Sequence, residues 1–218
     1  MNPHWQGPRI GPMRRSQCEI RDPEEILGIL ERATIGRLAT QDKEGYPYIT
    51  PVNFVFHKGC IYFHSAPEGE KLRNMERDPR VCFEVDEPLA YLEVSFNPER
   101  SPCRTHQLYR CVLIRGTARV LPDGELKTEV LNALVAKHEK GRDFQEITPE
   151  FSAYRACTVV EIRPERMTAK ADLLQGKPQE LKAEVAMHLA GRGLPGDLEA
   201  VRAMGLDPAA LGRGVGQS

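Results

Sequence analysis

The strongest constraint on the fold is a succession of short apolar segments and turns between residues 35 and 65. Segment 35–40 is apolar, 46–57 is long and strand-like, and 60–65 runs back after the turn signal Lys58-Gly59. A period of two places alternate side chains on opposite faces, and tight turns join neighbouring strands in antiparallel order. The pattern therefore predicts an antiparallel meander, with 46–57 as one long strand.

The rest of the chain continues this strand-rich pattern, with helices between the strands. An Asp22-Pro23 helix start is followed by a buried stripe that begins at Ile26. Further strands are predicted at 80–85, 91–94, 106–121 and 153–162, and helices at 67–77 and 125–138. Because strands dominate and pair locally, we expect a mainly β fold: a closed or partly closed antiparallel barrel with peripheral helices.

The chain length allows one good-sized core rather than two full domains. Residues 1–21 are rich in proline and glycine, which predicts an extended N-terminal arm. Residues 22–170 form the predicted barrel domain. Residues 171–218 are predicted to be a C-terminal tail with helices near 179–190 and 198–204.

Charge and composition exclude several classes of protein. A net charge of -1 with scattered basic residues argues against a nucleic-acid partner. No apolar run is long enough to span a bilayer, and the N-terminus lacks a secretory signal, so we expect a cytoplasmic protein without a membrane partner. The six cysteines include no CxxC pair, so no metal site is predicted.

Common catalytic motifs are absent, and the most informative stretch is the hairpin that leads into a helix near residue 70. The sequence has no GxGxxG, Walker, HExxH or GxSxG motif. Ser65, Gly69 and Lys71 can form a phosphate seat, because a helix N-terminus presents free N–H groups and a nearby cation attracts an anion. Glu68 and Glu70 oppose this, and an ordinary surface helix is the alternative interpretation.

Several ordered blocks, however, carry more information than any single motif. They are IGRLAT at 35–40, GYPYITPVNF at 45–54, IYFHSA at 61–66, GEK at 69–71 and DPRV at 78–81. Together these blocks resemble the pyridoxamine-phosphate-oxidase-like FMN-binding split barrels over roughly residues 14–170. The later strand YRCVLIRGTARV at 109–120 is similar to the 5-nitroimidazole reductase (nitroimidazole-resistance) branch.

The resemblance implies an antiparallel split barrel that binds FMN between the subunits of a homodimer. The strand Thr50, Pro51, Val52, Asn53 and Phe54 would lie along the isoalloxazine ring, with Asn53 and backbone groups at its polar edge. The resemblance implies that the ribityl phosphate is held by His64, Ser65 and Lys71. It also implies that the flavin of the other chain is reached by Arg104, His106 and Tyr109. A serine-arginine pair of the oxidase members is replaced by Gly69-Glu70, which leaves fewer cations and argues against pyridoxamine phosphate oxidation.

His64 is the candidate catalytic residue. It is interpreted either as a phosphate donor or participant in proton delivery, or as a histidine that ends a strand and bonds to backbone. Alternation of Phe54, Phe56 and Phe63 is explained better by core packing than by ring stacking.

The resulting hypothesis is an FMN-dependent oxidoreductase that passes electrons from a nicotinamide cofactor to a small, nitroaromatic-like acceptor. One alternative is a non-catalytic protein that holds flavin or haem for storage or sensing, with His64 or His106 as the axial ligand. A third hypothesis is that the protein is a dimeric scaffold that binds no ligand.

Overall fold

The computed structural model describes residues 14–211 and confirms the predicted fold class. An antiparallel sheet is curled into a half-barrel and carries helices. The strands are β1 Glu19–Ile20, β2 Ile35–Gln41, β3 Pro47–Asn53, β4 Val55–His57, β5 Cys60–Ser65, β6 Arg80–Leu92, β7 His106–Val120 and β8 Thr158–Asp172. The helices are α1 Pro23–Arg32, α2 Glu70–Arg77, α3 Glu125–Glu139, α4 Ser152–Ala156, α5 Gln179–Arg192, α6 Asp197–Ala203 and α7 Pro208–Leu211. Three short 3-10 helices cover Ser16–Cys18, Val94–Phe96 and Pro102–Arg104.

The strand order β3-β2-β6-β7-β8-β5-β4 explains the curl of the sheet, and β1 pairs with β8 beside this path. β3 and β4 lie at opposite ends of the path, although only Phe54 separates them in sequence. A flat sheet cannot place consecutive residues at its two far edges. The sheet must therefore curl until those edges approach each other at Phe54.

Local sequence signals account for the first helix. The Asp22 side chain accepts a hydrogen bond of 3.0 Å from Glu24 N, and Pro23 occupies the first turn, where no N–H is needed. The α1 side chains Ile26, Ile29 and Leu30 are buried, as their helical spacing requires.

Helix α3 covers β4 and β5, and the core beneath it is built from both. Spacing of three and four residues along α3 directs one apolar stripe toward the sheet. The buried residues of this cluster are Val55, Tyr62, Leu121, Val130, Leu131, Leu134, Tyr154 and Val159.

Three sequence-based element assignments are wrong. The predicted strand 46–57 is two strands, because Phe54 turns into the core between them. Segment 80–85 and the first half of segment 91–94 belong to the single strand β6, which continues through Pro88 and ends at Leu92, and Val94 begins a 3-10 helix. Segment 153–162 begins as α4, and β8 starts only at Thr158.

The described residues group into two compact units. The first contains Arg21–Val85 and Val112–Thr168, and the second contains 14–20, Asp86–Cys111 and 169–211. The domain division expected from the sequence, with an arm over 1–21, a barrel over 22–170 and a tail from 171, stays a prediction. Residues 1–13 and 212–218 lie outside the described residues. Within the described chain no helix has the length and apolar character to cross a membrane, and the longest, α3, has 15 residues.

Candidate functional site

The predicted ring-binding strand β3 is an edge strand whose ladder partner is β2. The register pairs Leu38 with Thr50 and Arg37 with Pro51, and paired residues share a face of the sheet. Leu38 is fully buried, so Thr50 and Val52 point to the packed face, whereas Pro51 and Asn53 point outward. An edge strand leaves alternate backbone N–H and C=O groups open, which can pair with the polar edge of a heterocycle.

The outward face of β2 and β3 is exposed and mixes apolar with polar residues, because Arg37 lies opposite Pro51 and Asn53 lies opposite Ile35. Ile35 is 51% exposed and Ile49 is 61% exposed, and the exposed Pro51 lies on the same side. Exposed β-branched residues grouped on one sheet face are typical of surfaces that a partner or ligand covers.

Phe54 has a different role from its neighbours on β3. Its side chain is fully buried and meets the ring of Phe83 edge-on, with centroids 5.0 Å apart. The Lys137 ammonium lies 3.6 Å from the Phe54 ring centroid. The aromatic ring of Phe54 thus packs in the core, and only its backbone is available to a ligand at β3.

Thr50 carries an orphaned polar atom. Its hydroxyl oxygen is buried and has no hydrogen-bond partner among the described residues. A buried hydroxyl without a partner destabilises a fold, and such atoms mark places where a ligand or water completes the bonding. The Thr50 hydroxyl is therefore a free hydrogen-bonding group at the predicted ring-binding strand.

The predicted phosphate seat is formed by the end of β5 and the first turn of α2. No side chain caps α2 at Gly69, whose φ is +144° and beside which a Cβ would meet nothing within 4 Å. The Lys71 side chain has no hydrogen bond or ion pair within the described chain. Ser65 is buried, and its hydroxyl donates to the Ala66 carbonyl at 2.9 Å. Open N–H groups and one unpaired cation suit an anion, while Glu70 in the same turn weakens that attraction.

His64 lies on the exposed side of β5. Its imidazole makes no hydrogen bond to any described residue, backbone included. Its charge acts through space on His138, at the end of α3, and burial is the main cause of the lowered His138 pKa. The catalytic role of His64 stays a prediction.

Arg104, His106 and Tyr109 belong to the second unit, where each has a local partner. Arg104 pairs with Glu99 at 3.4 Å, His106 Nε2 lies 3.0 Å from Asp172, and the Tyr109 hydroxyl accepts from Lys170. Asp172 also accepts from Arg15 at 2.7 Å, which holds the carboxylate and His106 in place. Their predicted reach to a second chain's flavin stays a prediction.

Lys137, a buried lysine of α3 that contacts the Phe54 ring, was not identified from the sequence. Its ammonium donates to the Leu30 carbonyl at 2.8 Å, and burial lowers the Lys137 pKa to about 8, although Glu31 acts in the opposite direction. The signal was present in the sequence, because Val130, Leu134 and Lys137 continue one helical stripe at spacings of four and three.

A second polar cluster lies on β5, β7 and β8, and no site residue was predicted there. Glu161 is buried and accepts from Arg119 Nε at 2.8 Å and from the Tyr62 hydroxyl at 3.1 Å. Arg119 and Glu161 also line a cavity of about 390 Å³. Burial is the largest cause of the raised Tyr62 pKa, followed by the nearby Cys60 and Glu161. This phenol therefore stays protonated and acts as a structural donor.

Comparison with known proteins identifies the chemistry to which this arrangement is related. Residues 22–171 match the family model described as pyridoxamine 5'-phosphate oxidase. A Streptomyces rimosus protein, 5a,11a-dehydrotetracycline/5a,11a-dehydrooxytetracycline reductase, is 36% identical over 93 residues. That match covers 41% of this chain and 56% of the relative, so the chain spans little more than half the relative's length.

Two solved structures share the fold. A candidate 5-nitroimidazole antibiotic resistance protein from Bacteroides thetaiotaomicron is 25% identical, with a TM-score of 0.59 over 70% of this chain and 86% of that one. The FAD and haem binding protein from Mycobacterium smegmatis has a TM-score of 0.60 at 17% identity, covering 71% and 73% of the two chains. The family model matches well over half of the sequence. The chain therefore belongs to the pyridoxamine 5'-phosphate oxidase family, the flavin-binding oxidoreductases of the split-barrel fold.

Proposed function

We propose that this protein is a cytoplasmic, homodimeric FMN-dependent oxidoreductase that uses NAD(P)H to reduce a small, electron-poor acceptor of the nitroaromatic type. The observation that carries the proposal is the open first turn of α2, where Gly69 leaves space and Lys71 has no partner within the described chain. A phosphate fits this turn, because uncapped N–H groups and a free ammonium both favour an anion.

The residues of β3 fit the ring of a flavin. Thr50 offers a buried hydroxyl without a partner among the described residues, and Asn53 offers an exposed carboxamide on the opposite face of β3. A ring bonded by both would lie along the open strand edge between the two faces. Lys71 and the α2 backbone would hold the phosphate, and Asn53 and the β3 backbone would orient the ring. When bound, the flavin supplies two-electron chemistry, accepting hydride from NAD(P)H and passing the electrons to the acceptor.

The exposed face of β2 and β3 supports the homodimer. Ile35, Ile49 and Pro51 expose apolar area on this face, around the Arg37 side chain, which pairs with Glu84. A second copy that covers this surface would remove it from water and exclude solvent from the ring.

The acceptor class is inferred from the relatives. The S. rimosus relative is named as a reductase, and the B. thetaiotaomicron structure is named for resistance to a nitroaromatic drug class. His64, exposed and without hydrogen bonds in the described structure, is proposed to hand a proton to the reduced acceptor.

The test is a set of spectra and one mass measurement on the full chain. Added FMN should give a shifted bound-flavin spectrum with one flavin per chain. Without oxygen, the loaded protein should oxidise one NAD(P)H per flavin alone and should turn over repeatedly only when a 5-nitroimidazole acceptor is present. Light scattering should give twice the chain mass of 24.5 kDa. Absence of flavin uptake would refute the proposal. A Soret band after haem addition without a flavin spectrum would favour the haem-binding alternative.

A further inference from the structure

The second unit contains a groove that the proposed flavin chemistry does not use. Its volume is about 430 Å³, within the range of roughly 300–1,000 Å³ that small-molecule sites occupy. Residues of β6 and of the connection between α5 and α6 line it, and most of them are apolar. These apolar residues are Pro88, Leu89, Ala90, Tyr91, Leu194 and Pro195.

Ion pairs fix the α5–α6 wall of this groove. Asp197 is fully buried and accepts from Arg192 Nη2 at 2.6 Å, from Arg192 Nε at 3.0 Å and from Leu194 N at 2.8 Å. Arg192 also donates to the Tyr91 carbonyl at 2.9 Å. Bidentate pairing of this kind restricts both side chains and the loop that carries them. The wall is thus pre-formed, which lowers the entropic cost of binding.

Gly196 brings the same loop against β6. Its φ is +88°, and a Cβ at this position would lie 2.0 Å from the Leu89 carbonyl oxygen. Only glycine can adopt this positive φ and also approach the Leu89 carbonyl so closely without moving the backbone. The close approach fixes the distance between the two walls.

The charges around the groove are already engaged with one another. Arg192 pairs with Asp197 and Glu93, and His188 Nε2 lies 2.9 Å from Glu93. Burial opposes ionisation of Glu93, but hydrogen bonds from its own backbone, Ser95 and His188 together with the Arg192 charge lower its pKa to about 2. No charge lining the groove is left to pair with a charged ligand, so an uncharged ligand is favoured.

Two neutral groups at the groove remain able to bond a ligand. Tyr91 is 51% exposed, and no described residue bonds its hydroxyl. The Gln107 amide nitrogen donates to the Ala90 and Leu108 carbonyls at 3.1 and 3.0 Å, which orients its oxygen as an acceptor. The groove therefore offers a hydroxyl group and one fixed acceptor beside apolar walls.

We propose that this groove binds an uncharged, largely apolar small molecule with one polar group at the rim. Its α5–α6 wall lies beyond residue 171, outside the match to the family model. The groove is thus a feature that the C-terminal helices add to the barrel, independent of flavin binding.

The experiment is a fluorescence titration of the full chain with N-phenyl-1-naphthylamine, an uncharged aromatic probe, with and without FMN. Saturable binding of one probe per chain with the same Kd in both conditions is expected. Leu194→Gln should raise the Kd about tenfold, because a half-exposed groove side chain loses its apolar contact without disturbing the fold. Leu198→Gln is the matched control, since Leu198 is a similarly exposed leucine of α6 that does not line the groove.

Several results would overturn the proposal. They are non-saturable binding, competition by FMN, equal effects of the two leucine variants, or tighter binding of the anionic probe 8-anilinonaphthalene-1-sulfonate. A change of molecular mass in Leu194→Gln without a change in Kd would instead assign this face to contact between copies of the chain.

Discussion

The region around Phe54 and the C-terminal helices both bury a charge, but they compensate it differently. The Lys137 ammonium contacts a carbonyl and the Phe54 ring, and its pKa is lowered to about 8. The Asp197 carboxylate is held by a bidentate arginine and a backbone N–H. The buried lysine is thus offset only by a carbonyl and a ring face, whereas the buried aspartate is fully paired within the C-terminal helices, whose groove suits an uncharged ligand.

The largest change in stability is expected from removing the buried, paired carboxylate of Asp197. Asp197→Ala leaves the Arg192 guanidinium and Leu194 N without their acceptor, so the free energy of unfolding should fall by about 3 kcal/mol. Chemical denaturation measures this change. The exposed carboxylate variant Asp143→Ala is the control and should change stability by less than about 0.5 kcal/mol. Equal stability of the two variants would show that the paired charge does not hold the C-terminal wall.

The next effect concerns the proposed phosphate seat in the first turn of α2. Lys71→Met should weaken FMN binding by about 10- to 100-fold, the range expected for loss of a charge-assisted contact to phosphate. Fluorescence quenching of FMN measures the Kd, and Lys43→Met, which removes a lysine from an exposed turn, should leave it unchanged. If Lys71→Met bound FMN as tightly as the parent protein, the α2 turn would not be the phosphate seat.

The two buried charges should both make stability rise with pH, but in different pH ranges. The folded pKa of Lys137 lies below its unfolded value, so the unfolded chain binds more protons between about pH 8 and 10.5, and stability should rise with pH there. Burial alone would raise the Asp197 pKa, but bonds from Arg192 and Leu194 N lower it. The contribution of Asp197 to the free energy of unfolding is therefore present above the pKa that this carboxyl has in the unfolded chain. It is lost as the pH falls through the pKa of the folded state.

Unfolding curves across both pH ranges measure these slopes. Lys137→Met should abolish the alkaline rise specifically, whereas Lys177→Met, an exposed lysine variant, should retain it. An alkaline rise that persists in Lys137→Met would assign it to another group.

The smallest effect tests the orphaned hydroxyl. Thr50→Val keeps the shape of the side chain and removes a buried group without a partner, so the flavin-free protein should gain about 1 kcal/mol. FMN affinity should fall at the same time, because the hydroxyl is proposed to bond the cofactor. Thr128→Val, on the surface of α3, is the control and should change neither quantity. A loss of stability in Thr50→Val would mean that the hydroxyl has a protein or water partner.

Much of the fold follows from local pattern, and the departures have identifiable causes. Alternation and turn residues located the hairpins, and the Asp22-Pro23 start located α1. Alternation could not show that Phe54 leaves the strand, because its position depends on Phe83 and Lys137, which are distant in sequence. The continuation of β6 through Glu87 was also hidden, since the ion pair with Arg110 at 2.9 Å compensates its charge.

The parts of the candidate site that could be predicted are those whose residues lie close together in the sequence. Gly69 and Lys71 lie in one turn, so their arrangement follows from the helix start. The buried state of the Thr50 hydroxyl depends on the register with Leu38, and the C-terminal groove depends on Gly196 meeting Leu89. Such long-range contacts leave no periodic signal, which is why the groove could not be inferred from the sequence.

The junction at Phe54 has a consequence for how the chain acquires its structure. Hairpins β2–β3 and β4–β5 can form early, but β5 also pairs with β8, for instance Ile61 with Ile162, about a hundred residues later. Closure around Phe54 must therefore await the C-terminal part of the chain, and such high contact order is associated with slow refolding. During synthesis the edge of β5 that pairs with β8 stays open, so we expect nascent chains to be prone to aggregation until β8 arrives.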